Sequence, residues 1–159
     1  MAVFEASDIV EVAVRIEENG ATFYRYAVQL AGNEEVKTLF QRLADEEVKH
    51  RRIFAEILAG MDRNLPPEGY DGEYAAYLHD YVDNRLIFKA EAFAGELAKL
   101  RNEASALDFA IQRELDSIHY YREMRELLPA DRRKAIERII AEEKEHFVRL
   151  SALRKRLGS

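Results

Sequence analysis

The sequence contains no cysteine and no tryptophan, only three prolines and seven glycines in 159 residues, and no long uninterrupted apolar run. Without cysteine there are no disulfides, thiolate nucleophiles, cysteine zinc sites or iron–sulfur clusters, so a rubredoxin-type electron carrier cannot be built from these residues. The three prolines fall in two places, Pro66-Pro67 and Pro129, and such sparse punctuation favours long helices. No segment approaches the ~20 apolar residues of a spanning helix. The opening MAVFEASDIVEV is acidic where an export signal has a basic start, so a cytoplasmic protein is expected. Positive charge is in deficit too: 24 Lys and Arg face 30 Asp and Glu for a net charge of -6, which offers no footprint for nucleic acid or an anionic membrane. What is present is a chain 48% hydrophobic and 34% charged, of a size suited to one domain with one core.

Apolar residues recur at helical spacing in four segments, about 7–31, 34–59, 103–128 and 131–157. Ser7 or Asp8 is the expected N-cap of the first and Gly32 its stop; Asn33 is suited to cap the second, which runs to about Gly60, and Asp131 to cap the fourth after Pro129. The two short connections make helices one and two antiparallel neighbours, and likewise three and four. Residues 60–102 read as a loop carrying short helices that joins the two hairpins. The predicted fold is therefore all-α: a single domain over 1–159, a ferritin-like four-helix bundle of two antiparallel hairpins with a long, partly helical crossover.

Each helical stripe contains a glutamate. The first reads Val10, Val14, Glu17, Ala21, Tyr24, Val28; the second Val36, Phe40, Leu43, Glu47, His50, Phe54, Ile57. The third reads Leu107, Ile111, Glu114, Ile118, Tyr121, Leu128; the fourth Ile136, Ile139, Glu143, His146, Leu150, Leu153, Leu157. Glu47-Val-Lys-His50 and Glu143-Lys-Glu-His146 place a histidine one turn after the acid. Each of the four glutamates lies about 15 residues, or ~22 Å, from its hairpin turn, which predicts convergence on one level of the bundle. Unpaired ions there would cost several kcal/mol each, so the cluster needs protons, partners or metal. One Glu from each of two helices and Glu-x-x-His from each of the other two is the ligand pattern of a carboxylate-bridged dinuclear iron or manganese site. Hard carboxylate oxygens bridge two cations, imidazoles supply terminal nitrogens, and four negative charges balance two divalent ions.

The neighbouring Glu18, Glu46 and Glu142 fall on faces rich in Arg and Lys and are read as solvated, with no role. His79 and His119 lack a stripe glutamate three residues earlier and are read as surface or local-network histidines. Tyr70, Tyr74, Tyr77 and Tyr81 are expected to cover one end or side of the bundle, or to form a dimer interface. Gly20 inside a helix has a cost, which close packing or space beside the metals must offset.

The halves repeat: Glu17 is followed seven residues later by Tyr24, as Glu114 is by Tyr121, and Gly20 and Ser117 stand one turn after each acid. With the two Glu-x-x-His motifs, these segments resemble the rubrerythrin branch of the ferritin-like superfamily across the four main helices. The resemblance implies a non-haem di-iron protein that reduces hydrogen peroxide or dioxygen, or handles ferrous iron, in protection against oxidative stress. It implies iron ligation by Glu17, Glu47, His50, Glu114, Glu143 and His146, with Tyr24 and Tyr121 hydrogen-bonded to the ligands. No catalytic residue beyond the ligands is expected. It further implies two iron ions, with manganese or zinc possible in a purified sample, a homodimer, and an external electron donor such as a rubredoxin-like protein. Two features depart from the pattern: no rubredoxin domain can be formed without cysteine, and Ser117 stands where rubrerythrins proper tend to carry an extra Glu. Iron binding or ferroxidase chemistry without peroxidase turnover, and a metal-free structural bundle, are the alternative readings.

Overall fold

The structure is a computed structural model that describes residues 5–61, 76–77, 80 and 90–158. Among them are five helices: α1 (Ala6–Leu30), α2 (Glu34–Ala59), α3 (Ala90–Lys99), α4 (Glu103–Leu127) and α5 (Ala130–Arg156). The four long ones form a ring in the order α1, α2, α5, α4, with α3 against α1. Polar links fix the ends. Asn33 N–H donates to Glu103 and Arg156 pairs with Glu35 at one end, while Arg132 donates to the Gly60 carbonyl at the other. Gly60 and Asn102 therefore lie at opposite ends of the bundle. All adjacent long helices are antiparallel, a ferritin-like four-helix bundle.

Helix starts follow local chemistry. Asn33 caps α2 by accepting from Glu35 N–H at 2.8 Å and Val36 N–H at 3.3 Å. Asn102 does the same for α4, accepting from Ser105 N–H at 2.9 Å while its own N–H reaches Ser105 Oγ at 3.1 Å. Two expected caps are displaced. The N-cap of α1 is Glu5, because Asp8 reaches back from the first turn to accept from Glu5 N–H at 2.8 Å, and Ser7 is buried within the helix. The N-cap of α5 is Pro129, whose φ of -54° leads into the helix, and Asp131 lies in the first turn, where its charge favours the helix dipole.

The inward faces carry Ile9, Ile16, Phe23, Phe40, Leu43, Phe54, Leu107, Ile136, Ile139 and Leu150, all fully buried. Leu157, expected at the end of the fourth stripe, is instead 41% exposed, because it follows the last turn of α5 and projects past the bundle. Phe93 of α3 packs on Phe109, extending the core. Of the crossover tyrosines, Tyr77 is exposed and its hydroxyl bonds His119 Nε2 at 3.1 Å, which makes His119 part of a local network. Tyr70, Tyr74, Tyr81 and His79 lie outside the described residues. No helix among the described residues is long and apolar enough to cross a membrane.

Candidate metal centre

α1, α2, α4 and α5 each bring one buried glutamate to the middle of the bundle, and α2 and α5 each add a histidine one turn on. The six groups form two overlapping sets: Glu17, Glu47, His50 and Glu143, and Glu47, Glu114, Glu143 and His146. Within each set the potential ligand atoms all lie within 4.8 Å of one another. Glu47 and Glu143 belong to both sets, while Glu17 and Glu114 belong to one each. The two imidazole rings stack with centroids 5.8 Å apart.

Tyr24 and Tyr121 cross the bundle to this cluster. The Tyr24 hydroxyl donates to Glu114 Oε1 and that of Tyr121 to Glu17 Oε1, each at 2.5 Å. Burial lifts both phenols well above their usual range, and the facing carboxylates add to it, so both remain O–H donors. These bonds occupy one oxygen of each unshared glutamate. The other, Oε2 of Glu17 and of Glu114, is buried with no hydrogen-bond partner. A buried carboxylate oxygen with no donor is costly, and a cation is the partner that both orphans suit.

Protonation describes the same deficit. Burial pushes the carboxyls of Glu17 and Glu114 well above the carboxylate range, and the charges of Glu47 and Glu143 act in the same direction. Glu143 goes the other way: burial opposes its charge, but the protonated Glu114 and the imidazoles of His146 and His50 facing it hold it well below that range. Burial also disfavours charged imidazole, yet the facing carboxylates of Glu143 and Glu17 carry His50 up to about 12, and those of Glu114 and Glu143 carry His146 up to about 10. The cluster thus balances itself with protons on the groups that a pair of cations would otherwise occupy.

A family model for rubrerythrin matches residues 8–153, which contain all six groups and both tyrosines. The chain belongs to the rubrerythrin family. Among solved structures it is similar to a Thermotoga maritima protein described as ferritin-like and diiron-carboxylate, with 28% sequence identity, a TM-score of 0.69 and 95% of each chain covered. No curated protein matches the chain. The buried Glu and His cluster of this rubrerythrin-family bundle suits a metal centre, and its 159 residues contain no rubredoxin domain.

Two groups around the centre differ from what the sequence suggests. Glu142, read as solvated, instead accepts from His50 Nε2 at 2.5 Å across the α2–α5 interface, with its side chain 39% exposed. The correction has a simple cause: seen on α5 alone, Glu142 lies beside Arg138, Glu145 and Arg149, but the ring order places α2 and His50 against that flank. Glu46 joins the edge of the same group and also pairs with Lys49 at 3.6 Å, while Glu18 pairs with Arg51 at 2.8 Å on the exposed face. Holding Nε2–H from outside leaves Nδ1 of His50 facing Glu143 at 3.0 Å. Glu142→Ala is expected to weaken metal binding about 10- to 100-fold, as loss of a ligand's outer hydrogen bond generally does. Competition against a coloured chelator measures it.

The second is Arg113, to which the sequence assigns nothing. It is fully buried, and its fork donates to Glu47 Oε1 at 3.2 Å and Oε2 at 3.1 Å and to the Ile16 carbonyl at 2.9 Å. Gly20 explains the fit: a Cβ there would stand 2.0 Å from Arg113 Nη2 and 2.7 Å from Glu47 Oε2. Close packing is therefore the observed reason for the helical glycine, which makes room for the guanidinium and for the Glu47 carboxylate. Ser117, one turn after Glu114, turns its hydroxyl back to the Arg113 carbonyl at 3.0 Å.

Proposed function

We propose that this rubrerythrin-family protein is a di-iron oxidoreductase that reduces hydrogen peroxide, or dioxygen, with electrons from an external donor. The observation that carries the reading is the pair of overlapping four-group sets sharing Glu47 and Glu143, with one orphaned carboxylate oxygen in each set. Such a site suits two hard divalent cations. Reduction of one peroxide to two water molecules takes two electrons and two protons, and a bound iron pair would supply the electrons, one from each ion. The protein's part is to hold the ligands. Glu47 and Glu143 would bridge, Glu17 with His50 Nδ1 and Glu114 with His146 Nδ1 would complete the two positions, and Tyr24 and Tyr121 would fix the terminal carboxylates through their bonded oxygens. We place the protein in the cytoplasm as a homodimer, served by a separate rubredoxin-like carrier because the chain has no thiolate to hold one.

The test begins with metal analysis of protein purified without chelator, followed by anaerobic reconstitution with ferrous iron and rapid mixing with peroxide or air-saturated buffer. The expected result is two iron ions per chain, a fast absorbance change consuming about one peroxide per iron pair, and loss of that change in Glu17→Ala. Protein that takes up no iron, or loaded protein that peroxide and dioxygen both leave unchanged, defeats the reading. Many iron ions retained per chain in a large shell would instead favour iron handling.

A further inference from the structure

The internal repeat is faithful at the ligands and broken just beside them. Glu17, Glu47, His50 and Tyr24 of one half correspond to Glu114, Glu143, His146 and Tyr121 of the other, but Ile16 corresponds to Arg113 and Gly20 to Ser117. The break is a single buried cation. Besides its two bonds to Glu47, Arg113 Nη1 lies 3.4 Å from Glu114 Oε1, and its Cζ sits 5.7 Å from the Tyr24 ring centroid. The bond to the Ile16 carbonyl and the absent Cβ of Gly20 fix the fork in place. A guanidinium keeps its charge at any working pH.

This charge is shared unequally. Arg113 contacts one carboxylate, Glu47, of the set that contains Glu17 and His50, but two, Glu47 and Glu114, of the set that contains Glu114 and His146. A fixed cation bonded to a carboxylate draws on the lone pairs a metal needs and repels the incoming ion, more so in a water-poor interior. We propose that Arg113 is a positioning residue that makes the centre load in two steps, first at Glu17 and His50 and then, more weakly, at Glu114 and His146. The inference rests on the metal-centre reading above and deepens it. A one-ion form becomes a populated state, and the second position is left open to a different divalent ion.

The test uses the full chain stripped by chelator and titrated with manganese(II), followed by calorimetry and electron paramagnetic resonance. An isolated manganese(II) ion gives a six-line spectrum, and two adjacent ions couple and broaden it. In the wild type the six-line signal should dominate at one equivalent and give way to the coupled signal at two, with stepwise constants about 10- to 100-fold apart. Arg113→Gln, which removes the charge and keeps a polar side chain, should tighten the second step by about tenfold or more, so that coupling is visible at one equivalent. Arg113→Lys keeps the charge and should keep two steps. Glu114→Gln should weaken the second step only and Glu17→Gln the first, which assigns the order even where an Arg113 variant folds poorly. Wild type that fills both positions in one step, Arg113→Gln with an unchanged second constant, or a reversed order overturns the inference and leaves the two-ion reading intact. Wild type that binds no manganese overturns both.

Discussion

Replacing Glu47 by leucine should destabilise the chelator-treated protein by about 3–5 kcal/mol, the usual consequence of leaving a buried charge without its partner. For a domain of this size that is a fall in melting temperature on the order of 10 °C. The reason is Arg113: fully buried, it has a two-pronged ion pair with Glu47, and of its carboxylate contacts only the 3.4 Å one to Glu114 would remain. Its Nε already lacks a partner, so the guanidinium is incompletely satisfied even with Glu47 in place. The double variant Glu47→Leu with Arg113→Leu should recover most of the loss, because replacing both members of a buried pair by apolar side chains is often close to neutral. Glu17→Gln should behave differently. The Glu17 carboxyl resists ionising, so at pH 8 a neutral isostere should leave the metal-free fold as stable or more so. Urea denaturation in chelator measures all four proteins. A double variant no more stable than the single would show that lost packing, not the stranded guanidinium, accounts for the effect.

The same residue shows where sequence reading stops. The stripe glutamates and histidines are legible because a 3.6-residue period places them on faces that are otherwise apolar, and the structure brings all six together. Equal distance from the turns does not by itself put the four carboxylates on one level, since the links at Asn33 and at Gly60 put the two hairpin turns at opposite ends. The carboxylates still meet because ~22 Å is close to the midpoint of helices of 25 to 27 residues. Arg113 could not be read this way. On α4 it is one more charged residue between Gln112 and Glu114, and its burial depends on a missing Cβ at Gly20, on another helix. The uncompensated helical glycine was the available signal, and it pointed to space without saying what fills it. Glu142 was missed for a related reason, since its partner His50 lies on α2 and no single-helix pattern contains the pair.

Stability of the metal-free protein should fall as pH rises from about 5 to 9, and bound divalent metal should reverse that slope. Glu17 and Glu114 hold protons more tightly when folded than the ordinary carboxyl value of 4.5, and His50 and His146 reach about 12 and about 10 against 6.5. Each therefore contributes stability that is complete below its unfolded value and lost as pH climbs toward its folded one. Between those limits the native chain binds more protons than the unfolded chain, so the slope of stability with pH is negative. Glu143, held below 4.5, has the opposite sign: its contribution is complete above 4.5 and is lost only in acid, so it leaves the slope between pH 5 and 9 unchanged. Divalent ions compete for the same atoms and release the protons, so their affinity grows with pH. At a free concentration about a thousand times the dissociation constant, one ion adds roughly 4 kcal/mol, or a melting shift on the order of 10 °C. Melting curves from pH 5.5 to 9, with chelator and with manganese(II), should therefore diverge as pH rises, and a pH-stat should record proton release on metal addition. A chelated protein that grows more stable with pH, or a metal shift equal at both ends of the range, would mean that protons and cations do not share these six groups.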